Sequence, residues 1–285
     1  MRGIILAGGM GSRLWPLTKS LNKHLLPVFD KPMIYYPLAT QMLMGIRELT
    51  IISNPNHINL FNDLFGNGSN YGLEINYVIQ DNPGGLPEGI SLASKFIGKE
   101  NFSLILGDNI FYGVGLGQSL HAQQDFNGAR IFCYQVANPQ NFGVAEIKDN
   151  KILSIEEKPA SPKSNFAVTG LYFFENEAKH LVANLKPSSR GELEIVDLLN
   201  FYLRDKKLSY EILPRGTAWL DTGTPESLLE ASEFVHIIEK RQGTKVACIE
   251  EVSWRNGWIN DKQLASLAKV SFNPEYKKYL LNLVE

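Results

Sequence analysis

The sequence predicts an α/β protein: a mostly parallel central sheet flanked by helices, with a smaller mixed β region and a helical C-terminal tail. In the first half, short apolar runs alternate with longer amphipathic stretches. In the second half the links between apolar runs are shorter, and the end of the chain has helical patterning. Continuously apolar strands that alternate with helices are typical of a parallel sheet covered on both faces.

The first half supplies the parallel part of the predicted sheet. Each predicted strand is a short run rich in Ile, Leu and Val, and each predicted helix repeats apolar residues at helical spacing. The predicted strands are 3–6, 49–53, 75–79 and 102–106, and the predicted helices between them are 33–45, 57–65 and 88–97.

The second half is predicted to contain some antiparallel pairing, because its links are short. Its predicted strands are 130–136, 144–147, 152–156, 168–174 and 210–213, and its predicted helices are 193–203 and 225–240. Residues 261–285 predict two short helices broken near 273–274. We therefore expect one large domain over 1–247 and a helical appendage over 248–285.

Composition narrows the class of protein. The 285 residues carry 28 Lys and Arg against 30 Asp and Glu, a net charge of −2. This balance gives no basic face for nucleic acid. No apolar run reaches the ~18 residues of a membrane-spanning helix. The first apolar run stops at glycine, unlike a secretion signal, so we expect a cytoplasmic protein.

Glycines and cations follow the end of the first predicted strand. Ligands bind at the carboxyl ends of strands in open α/β sheets, and Gly8, Gly9 and Gly11 fall there. Glycine lets backbone N–H groups approach an anion, while Arg13 and Lys23 add a planar fork and a point charge. The pattern indicates a polyphosphate-binding loop. From composition alone, a glycine-rich turn beside two solvated cations is equally acceptable.

Two common phosphate motifs do not fit this loop. A P-loop ends in Gly-Lys-Ser/Thr, which is absent here. A dinucleotide fingerprint needs a third glycine where Leu14 stands, and Pro16 follows closely. A dehydrogenase is therefore disfavoured.

Carboxylates provide candidate metal ligands. Asp108 follows strand 102–106 at the edge of the predicted sheet, and a carboxylate is a hard oxygen ligand suited to Mg²⁺. Asp221 lies in "WLDTG", where a lone acid is more often a cap or turn residue. Taken alone, a pair such as Glu157 and Lys158 is more often an exposed charge pair at the end of a strand.

A series of motifs runs along the chain. The segments "GMGSRLWPLT" and "KHLLP" are followed in order by "FDKPMIYYPL", "LGDNIFYG", "EEKP", "RGELEI" and "AWLDTGTPESLLEAS". In these segments the chain resembles the sugar nucleotidyltransferase family, from Gly3 into "SWRNGWI". Members of that family join a sugar 1-phosphate to a nucleoside triphosphate and release pyrophosphate, and their nucleotide-binding half is Rossmann-like.

The resemblance implies substrates, a cofactor and an assembly. It is greatest to members that use dTTP and glucose 1-phosphate, with Mg²⁺ bridging the phosphates and a homotetramer as the assembly. Residues 1–135 would form the nucleotide-binding half and 136–247 the sugar-binding half. One alternative is a relative that prefers UTP or another sugar 1-phosphate. Another is a catalytically silent nucleotide-binding regulator, although binding alone would not need both aspartates.

The resemblance also implies the site residues. The catalytic set is Arg13, Lys23, Asp108, Lys158 and Asp221, of which Asp108 and Asp221 hold the metal. The nucleotide-binding set is Leu6, Gly8, Gly9, Gly11, Ser12, Arg13, Gln80, Gly85 and Asp108. The sugar-phosphate-binding set is Leu86, Gly143, Glu157, Lys158, Val168 and Arg190, with Thr169 and Gly170 in the sugar pocket.

The resemblance also implies a role for several of these residues, and their side-chain chemistry suits those roles. Gln80 offers a donor beside an acceptor, which suits the edge of thymine or uracil, and the backbone of Gly85 assists it. Lys158 and Arg190 would grip the sugar phosphate, while Glu157 would accept hydrogen bonds from sugar hydroxyls.

The chain departs from the family pattern in two regions. Residues 85–89 read Gly-Leu-Pro-Glu-Gly instead of Gly-Leu-Ala-Gln-Ala, so an amino or deoxy sugar phosphate stays an alternative substrate. Near the feedback site that the resemblance implies, Val114 replaces a histidine and Pro214 a glycine, while Arg255 is retained. The sequence leaves open whether feedback by a sugar nucleotide is kept.

Overall fold

The computed structural model describes residues 1–82, 84–188 and 191–285, and these ranges form an α/β fold. The strands are β1 (Arg2–Leu6), β2 (Pro27–Val28), β3 (Lys31–Pro32), β4 (Glu48–Ser53), β5 (Glu74–Ile79), β6 (Phe102–Leu106), β7 (Asn109–Tyr112), β8 (Ala129–Gln135), β9 (Gly143–Lys148), β10 (Lys151–Glu157), β11 (Phe166–Phe174), β12 (Leu208–Ile212) and β13 (Ala218–Asp221). The helices are α1 (Tyr35–Leu43), α2 (Ile58–Phe65), α3 (Leu86–Leu92), α4 (Ser94–Ile97), α5 (Leu116–Ala122), α6 (Ala178–Leu181), α7 (Ile195–Arg204), α8 (Pro225–Gln242), α9 (Ile249–Arg255), α10 (Asp261–Val270) and α11 (Pro274–Asn282).

The central sheet has a parallel half and a mixed half, as predicted. In the described ranges it contains nine strands, with β10, β9, β11, β6, β1, β4 and β5 in that order. Off this path, β8 pairs with β11, and β12 pairs with β8. The neighbours from β6 to β5 are parallel, whereas β11 is antiparallel to β6, β8 and β9. The predicted strands of the first half are confirmed within one or two residues.

Both faces of the sheet are buried, as a continuously apolar strand requires. Ile5 of β1 packs in one core cluster with Leu38 of α1, while its neighbour Ile4 packs in the other with Ile90 of α3. Successive strand residues point to opposite faces, so β1 joins the two cores.

The direction of β11 places its first residues at the functional edge of the sheet. Leu171 pairs with Ile105 and Phe174 with Phe102, so β11 begins where β6 ends. Residues 166–170 therefore lie at the same edge as the glycine loop after β1.

A small ribbon outside the central sheet was not predicted. Strand β7 pairs with β13 in antiparallel register, with Asn109 opposite Asp221 and Phe111 opposite Trp219. The chain separation between these strands exceeds that of any hairpin, and each is too short to show a period of two. This pairing places Asp221 next to the residue that follows Asp108.

One helical prediction needed adjustment, and another was confirmed. The predicted helix 88–97 is divided into α3 and α4 around Ala93. The predicted helix 225–240 is confirmed as α8, which begins after a capping box formed by Thr224 and Ser227.

The end of the chain is helical, and its first helix was not predicted. Ile249 of α9 lies in the same core cluster as Leu38 of α1, so α9 packs on the first half of the chain. Helices α10 and α11 pack together with Cys248 in a separate cluster. The division of the chain after residue 247 stays a prediction. Over the described ranges, none of the helices combines the length and apolar character that crossing a membrane would require.

A buried ion network fixes α8 to the β2–β3 hairpin. The ammonium of Lys31 contacts Asp30 and lies 3.1 Å from Glu239, and Lys245 Nζ lies 2.5 Å from Asp30 and 2.6 Å from Glu239. Burial alone would raise the pKa of Asp30, but the two lysines outweigh it and lower that pKa.

Candidate active site

The glycine loop after β1 closes around Lys23. Gly11 has a φ of 62°, and a Cβ there would lie 2.8 Å from Thr18 Cγ2 and 3.0 Å from Lys23 Cβ. A Cβ on Gly9 would lie 3.3 Å from Lys23 Cε. Glycine at these positions lets the loop wrap the lysine side chain and leaves the loop backbone open toward solvent.

Lys23 is positioned by a buried asparagine that the sequence analysis did not single out. Asn22 caps the one-turn helix 23–25: its Oδ1 accepts the His24 N–H at 2.9 Å. Its Nδ2 donates to the carbonyl of Ala7 at 3.0 Å, just beyond the end of β1. Asn22 therefore ties Lys23 to the carboxyl edge of the sheet. An asparagine ahead of a short helix was the signal for this role.

His24 is neutral and acts in packing. Burial, with the charge of Lys23, lowers the pKa of His24 to about 3. Its Nδ1–H donates a hydrogen bond to Asn22 Oδ1 at 2.7 Å.

Asp108 lies in the centre of the site, at the end of β6. Its carboxylate contacts the ammonium of Lys23 and accepts a hydrogen bond from Asn109 Nδ2 at 3.0 Å. Burial alone would raise the pKa of Asp108, but Lys23 and the hydrogen bonds lower it well below its usual range. Asp108 is therefore ionised although only 7% of the residue is exposed.

Asp221 faces Asp108 from the end of β13. Burial and then the charge of Asp108 raise the pKa of Asp221, against the opposing charges of Lys23 and Arg13. The Arg13 guanidinium and the Asp221 carboxylate both lie beside Gly223. A Cβ added to Gly223 would be 2.6 Å from Arg13 Nη2 and 2.9 Å from Asp221 Oδ1. The structure thus brings Arg13, Lys23, Asp108 and Asp221 together.

A second asparagine joins the ribbon, the sheet and Asp108. Asn109 Oδ1 accepts hydrogen bonds from Trp219 Nε1 at 2.6 Å and from the Gly170 N–H at 3.1 Å. Thr222 donates from Oγ1 and N–H to the Asp108 carbonyl, at 2.8 and 3.1 Å. Asn109 and Thr222 were not among the predicted site residues, and no local pattern marked them.

The paired aspartates fit a divalent metal. After burial, the charge of Asp108 is the second cause that raises the pKa of Asp221, because two neighbouring carboxylates repel. A hard cation between them would relieve that repulsion. No cluster of three or more potential metal ligands exists among the described residues. Mg²⁺ fits such a pair, since it commonly takes one or two carboxylates and completes its shell with substrate phosphates and water.

The end of β5 adds an amide beside the glycine loop. A Cβ on Gly8 would lie 2.8 Å from Gln80 Oε1, so Gln80 borders the loop. Gln80 Nε2 donates to Glu88 Oε2, which also accepts the Gly84 N–H at 3.0 Å. Gly85 has a φ of 92° and pairs with Leu193, where a Cβ would collide with the Leu193 carbonyl at 2.1 Å.

A third group of predicted residues lies across the sheet edge. In the β9–β10 hairpin Gly143 pairs with Glu157, and a Cβ on Gly143 would be 3.4 Å from Glu157 Oε2 and 3.9 Å from Val168 Cβ. The half-exposed Lys158 follows, with a φ of 43°, and its Nζ lies 3.8 Å from Glu157 Oε1. This group connects to Asp108 through β11, because Gly170 binds Asn109.

The remaining predicted residues border these groups. Leu6 ends β1 and packs closely against Gly89 of α3, where a Cβ would lie only 2.5 Å from the Leu6 side chain. Leu86 is the first residue of α3. Ser12 begins an exposed helical turn ahead of Arg13. Arg190 lies outside the described residues. The Oγ1 of Thr169, buried in β11, has no hydrogen-bond partner among the described residues.

A separate cavity of about 470 Å³ lies between α1, α5 and α9. Arg255 and Asn256 of the C-terminal region line it, together with Tyr112 and Gly113. Val114, fully exposed, follows Gly113. None of the residues grouped around Asp108 is among the described residues that line this cavity.

Comparison with known proteins agrees with this geometry. Residues 2–237 match the family described as nucleotidyl transferase. A glucose-1-phosphate thymidylyltransferase of Neisseria meningitidis serogroup A is 51% identical over 287 residues, covering 100% of both chains. One of Mycobacterium tuberculosis is 51% identical over 286 residues, covering 100% of this chain and 99% of that one.

Solved structures show the same fold. A Bacillus anthracis protein described as a candidate glucose-1-phosphate thymidylyltransferase, in complex with sucrose, superposes with a TM-score of 0.76 at 40% identity, covering 82% of this chain and 94% of that one. A UDP-glucose pyrophosphorylase bound to UDP-glucose superposes with a TM-score of 0.72 at 25% identity, covering 83% and 98%. From these matches and the grouping of basic and acidic residues at the sheet edge, the chain belongs to the nucleotidyl transferase family.

Proposed function

We propose that this chain transfers a thymidylyl group from dTTP to α-D-glucose 1-phosphate, giving dTDP-glucose and pyrophosphate. The observation that carries the proposal is the grouping of Arg13, Lys23, Asp108 and Asp221 around one edge of the sheet. Relatives that are about half identical and full length have this activity in their names.

The first physical obstacle is charge. Both substrates are anions, and an oxygen of the sugar phosphate must attack the α-phosphorus in line with the departing pyrophosphate. Transfers of this kind depend on positioning the two substrates and neutralising the charge of their phosphates more than on acid–base chemistry.

The glycine loop and two cations bind the triphosphate. Backbone N–H groups of residues 8–12 face the phosphates, and the Arg13 fork neutralises the leaving pyrophosphate end. Lys23, held by Asn22 at the end of β1, lies against Asp108 and reaches the α-phosphate. Neither cation needs to change its protonation state.

Asp108 and Asp221 would hold Mg²⁺. When bound, the metal supplies charge neutralisation at the phosphate oxygens, worth several kcal/mol in such reactions. Asp108 is ionised and pinned by Asn109, so its carboxylate is already arranged as a ligand. Two carboxylates alone would make a weak Mg²⁺ site, which phosphate oxygens of the nucleotide would strengthen.

The sugar phosphate binds against the residues at the ends of β9, β10 and β11. Glu157 accepts hydrogen bonds from sugar hydroxyls beside Gly143 and Val168, and Lys158 binds the phosphate. Leu86 borders this pocket, and Arg190 belongs to the same proposal from resemblance alone. Because Asn109 bridges β11 and Asp108, the two substrates are brought to one edge.

The test is pyrophosphate release over a panel of triphosphates and sugar 1-phosphates. We expect the highest kcat/KM for the pair dTTP and glucose 1-phosphate with Mg²⁺, and none after chelation of the metal. Highest activity with UTP or an amino sugar phosphate would favour the related-enzyme alternative. Nucleotide binding with no pyrophosphate from any pair would indicate a silent regulator.

Location and assembly complete the proposal. A cytoplasmic homotetramer follows from the family resemblance. Size-exclusion chromatography with light scattering tests the assembly, and a monomer at assay concentration would contradict it.

A further inference from the structure

The amide of Gln80 has a fixed orientation in this chain. Its Nε2 donates to Glu88 Oε2, while its Oε1 is turned to the glycine loop, 2.8 Å from where a Cβ on Gly8 would stand. A carboxylate can only accept hydrogen bonds. An amide flipped by 180° would bring Oε1 against the Glu88 carboxylate, where two acceptors repel, so Glu88 selects one orientation.

Glu88 is itself held in place. Its Oε2 also accepts the Gly84 N–H at 3.0 Å, and it lies in the first turn of α3, where the helix dipole favours a negative charge. A Cβ on Gly84 would lie 2.4 Å from the Glu88 carboxyl group, so the lack of a side chain at Gly84 makes room for that group. Gly84 is in turn fixed, since its carbonyl accepts the Leu193 N–H at 2.9 Å.

The orientation matters because pyrimidines differ in their hydrogen-bonding edges. Thymine and uracil present a carbonyl acceptor beside an N3–H donor, and cytosine presents an amino donor beside an N3 acceptor. A glutamine that is free to flip can pair with either edge. With one N–H committed to Glu88, Gln80 presents its other N–H and Oε1 in one fixed order, which can match the edge of thymine and uracil or the edge of cytosine but not both.

We propose that Glu88 is a positioning residue for base selection, which locks Gln80 in the orientation that accepts thymine or uracil and excludes cytosine. The inference rests on the proposed function, since it takes Gln80 as the residue that reads the base. Glu88 acts through Gln80 and does not touch the nucleotide.

The experiment compares dTTP, dUTP and dCTP in the pyrophosphate-release assay with glucose 1-phosphate. Glu88→Gln keeps the size of the side chain but can offer either an acceptor or a donor to Gln80. We expect the ratio of kcat/KM for dTTP to that for dCTP to fall about tenfold, the size of one hydrogen-bond preference. The ratio for dTTP to dUTP should not change, and neither should the KM of glucose 1-phosphate.

Two further variants separate positioning from other roles. Glu74→Gln removes a carboxylate from the opposite end of β5, where Glu74 is exposed, and should leave every ratio unchanged. In a Gln80→Ala background, Glu88→Gln should no longer alter the dTTP to dCTP ratio, since its effect passes through the amide.

Three results would overturn the proposal. The first is an equal loss of activity with all three nucleotides, which indicates a structural role alone. The second is an unchanged ratio in a folded, active Glu88→Gln enzyme. The third is a rise in the ratio, which would mean that Glu88 itself accepts a bond from the cytosine amino group. Wild-type turnover of dTTP, measured first, tests the proposed function separately.

Discussion

Replacing Asn109 by alanine tests how the site is held together. The side chain is buried and makes three hydrogen bonds: it accepts from Trp219 Nε1 and the Gly170 N–H and donates to Asp108. Asn109→Ala leaves two buried N–H donors without a partner. A buried donor left unsatisfied costs about 1–3 kcal/mol, so the free energy of unfolding should fall by about 4 kcal/mol.

The same substitution should lower activity beyond its effect on stability. Asp108 keeps Lys23 as a partner but loses the contact that fixes its second oxygen, and the link from β11 to the aspartate is broken. We expect kcat to fall at least about tenfold at a temperature where the variant is fully folded, by analogy with the loss of one preorganised contact. The KM values should change less than kcat.

Urea unfolding followed by circular dichroism and the pyrophosphate assay measure the two effects. Asn138→Ala is the matched control: this asparagine is exposed, and such surface changes are usually within about 0.5 kcal/mol. A loss below about 1 kcal/mol in Asn109→Ala, with normal kcat, would refute the reasoning, because the N–H groups would then have found other partners at no cost.

Two other substitutions test the glycine loop and the buried ion network. Gly11→Ala should raise the KM for dTTP about tenfold, because the positive φ of Gly11 and the contact of a new Cβ with Thr18 force the loop away from Lys23. Gly243→Ala is the control: Gly243 has a similar φ of 68° but open space around it, so this substitution should leave that KM unchanged. An unchanged KM in Gly11→Ala would contradict the assigned role of the loop. Asp30→Asn should destabilise the fold by about 2 kcal/mol at pH 7. Because the folded-state pKa of Asp30 is lowered from 3.8, its contribution is present above that value and lost as pH falls through the folded-state pKa. In urea titrations the difference between wild type and variant should therefore begin to shrink below about pH 3.8 and disappear once the pH lies below the folded-state pKa. A constant difference across pH would contradict the assignment.

The sequence predicted the part of the site that depends on strand order and local chemistry. The loop after β1 and the aspartate after β6 were each predicted at the carboxyl end of a strand, and because these strands are parallel neighbours, Lys23 contacts Asp108 at their common edge. Glycines and cations at such an edge predicted a phosphate-binding loop, while composition alone fitted a solvated turn equally well.

The rest depended on long-range pairing. Asp221 lies near Asp108 because β13 pairs with β7. Neither short strand has a periodic pattern or an adjoining turn from which this pairing could be predicted. Asn109 binds Trp219 and Gly170 through contacts that only the folded chain contains. Glu88 was noted as a departure from the family pattern near the sugar and ribose, and its contact with Gln80 needed the turn geometry of Gly84.

The central claim is that two repelling anionic substrates are aligned by a divalent cation between Asp108 and Asp221. Anomalous diffraction from Mn²⁺, in crystals grown with dTTP, locates that cation directly, since Mn²⁺ accepts the same oxygen ligands as Mg²⁺. We predict a peak within bonding distance of both carboxylates and of an α-phosphate oxygen. A peak elsewhere on the nucleotide, with either aspartate turned away from the α-phosphorus, would contradict the account.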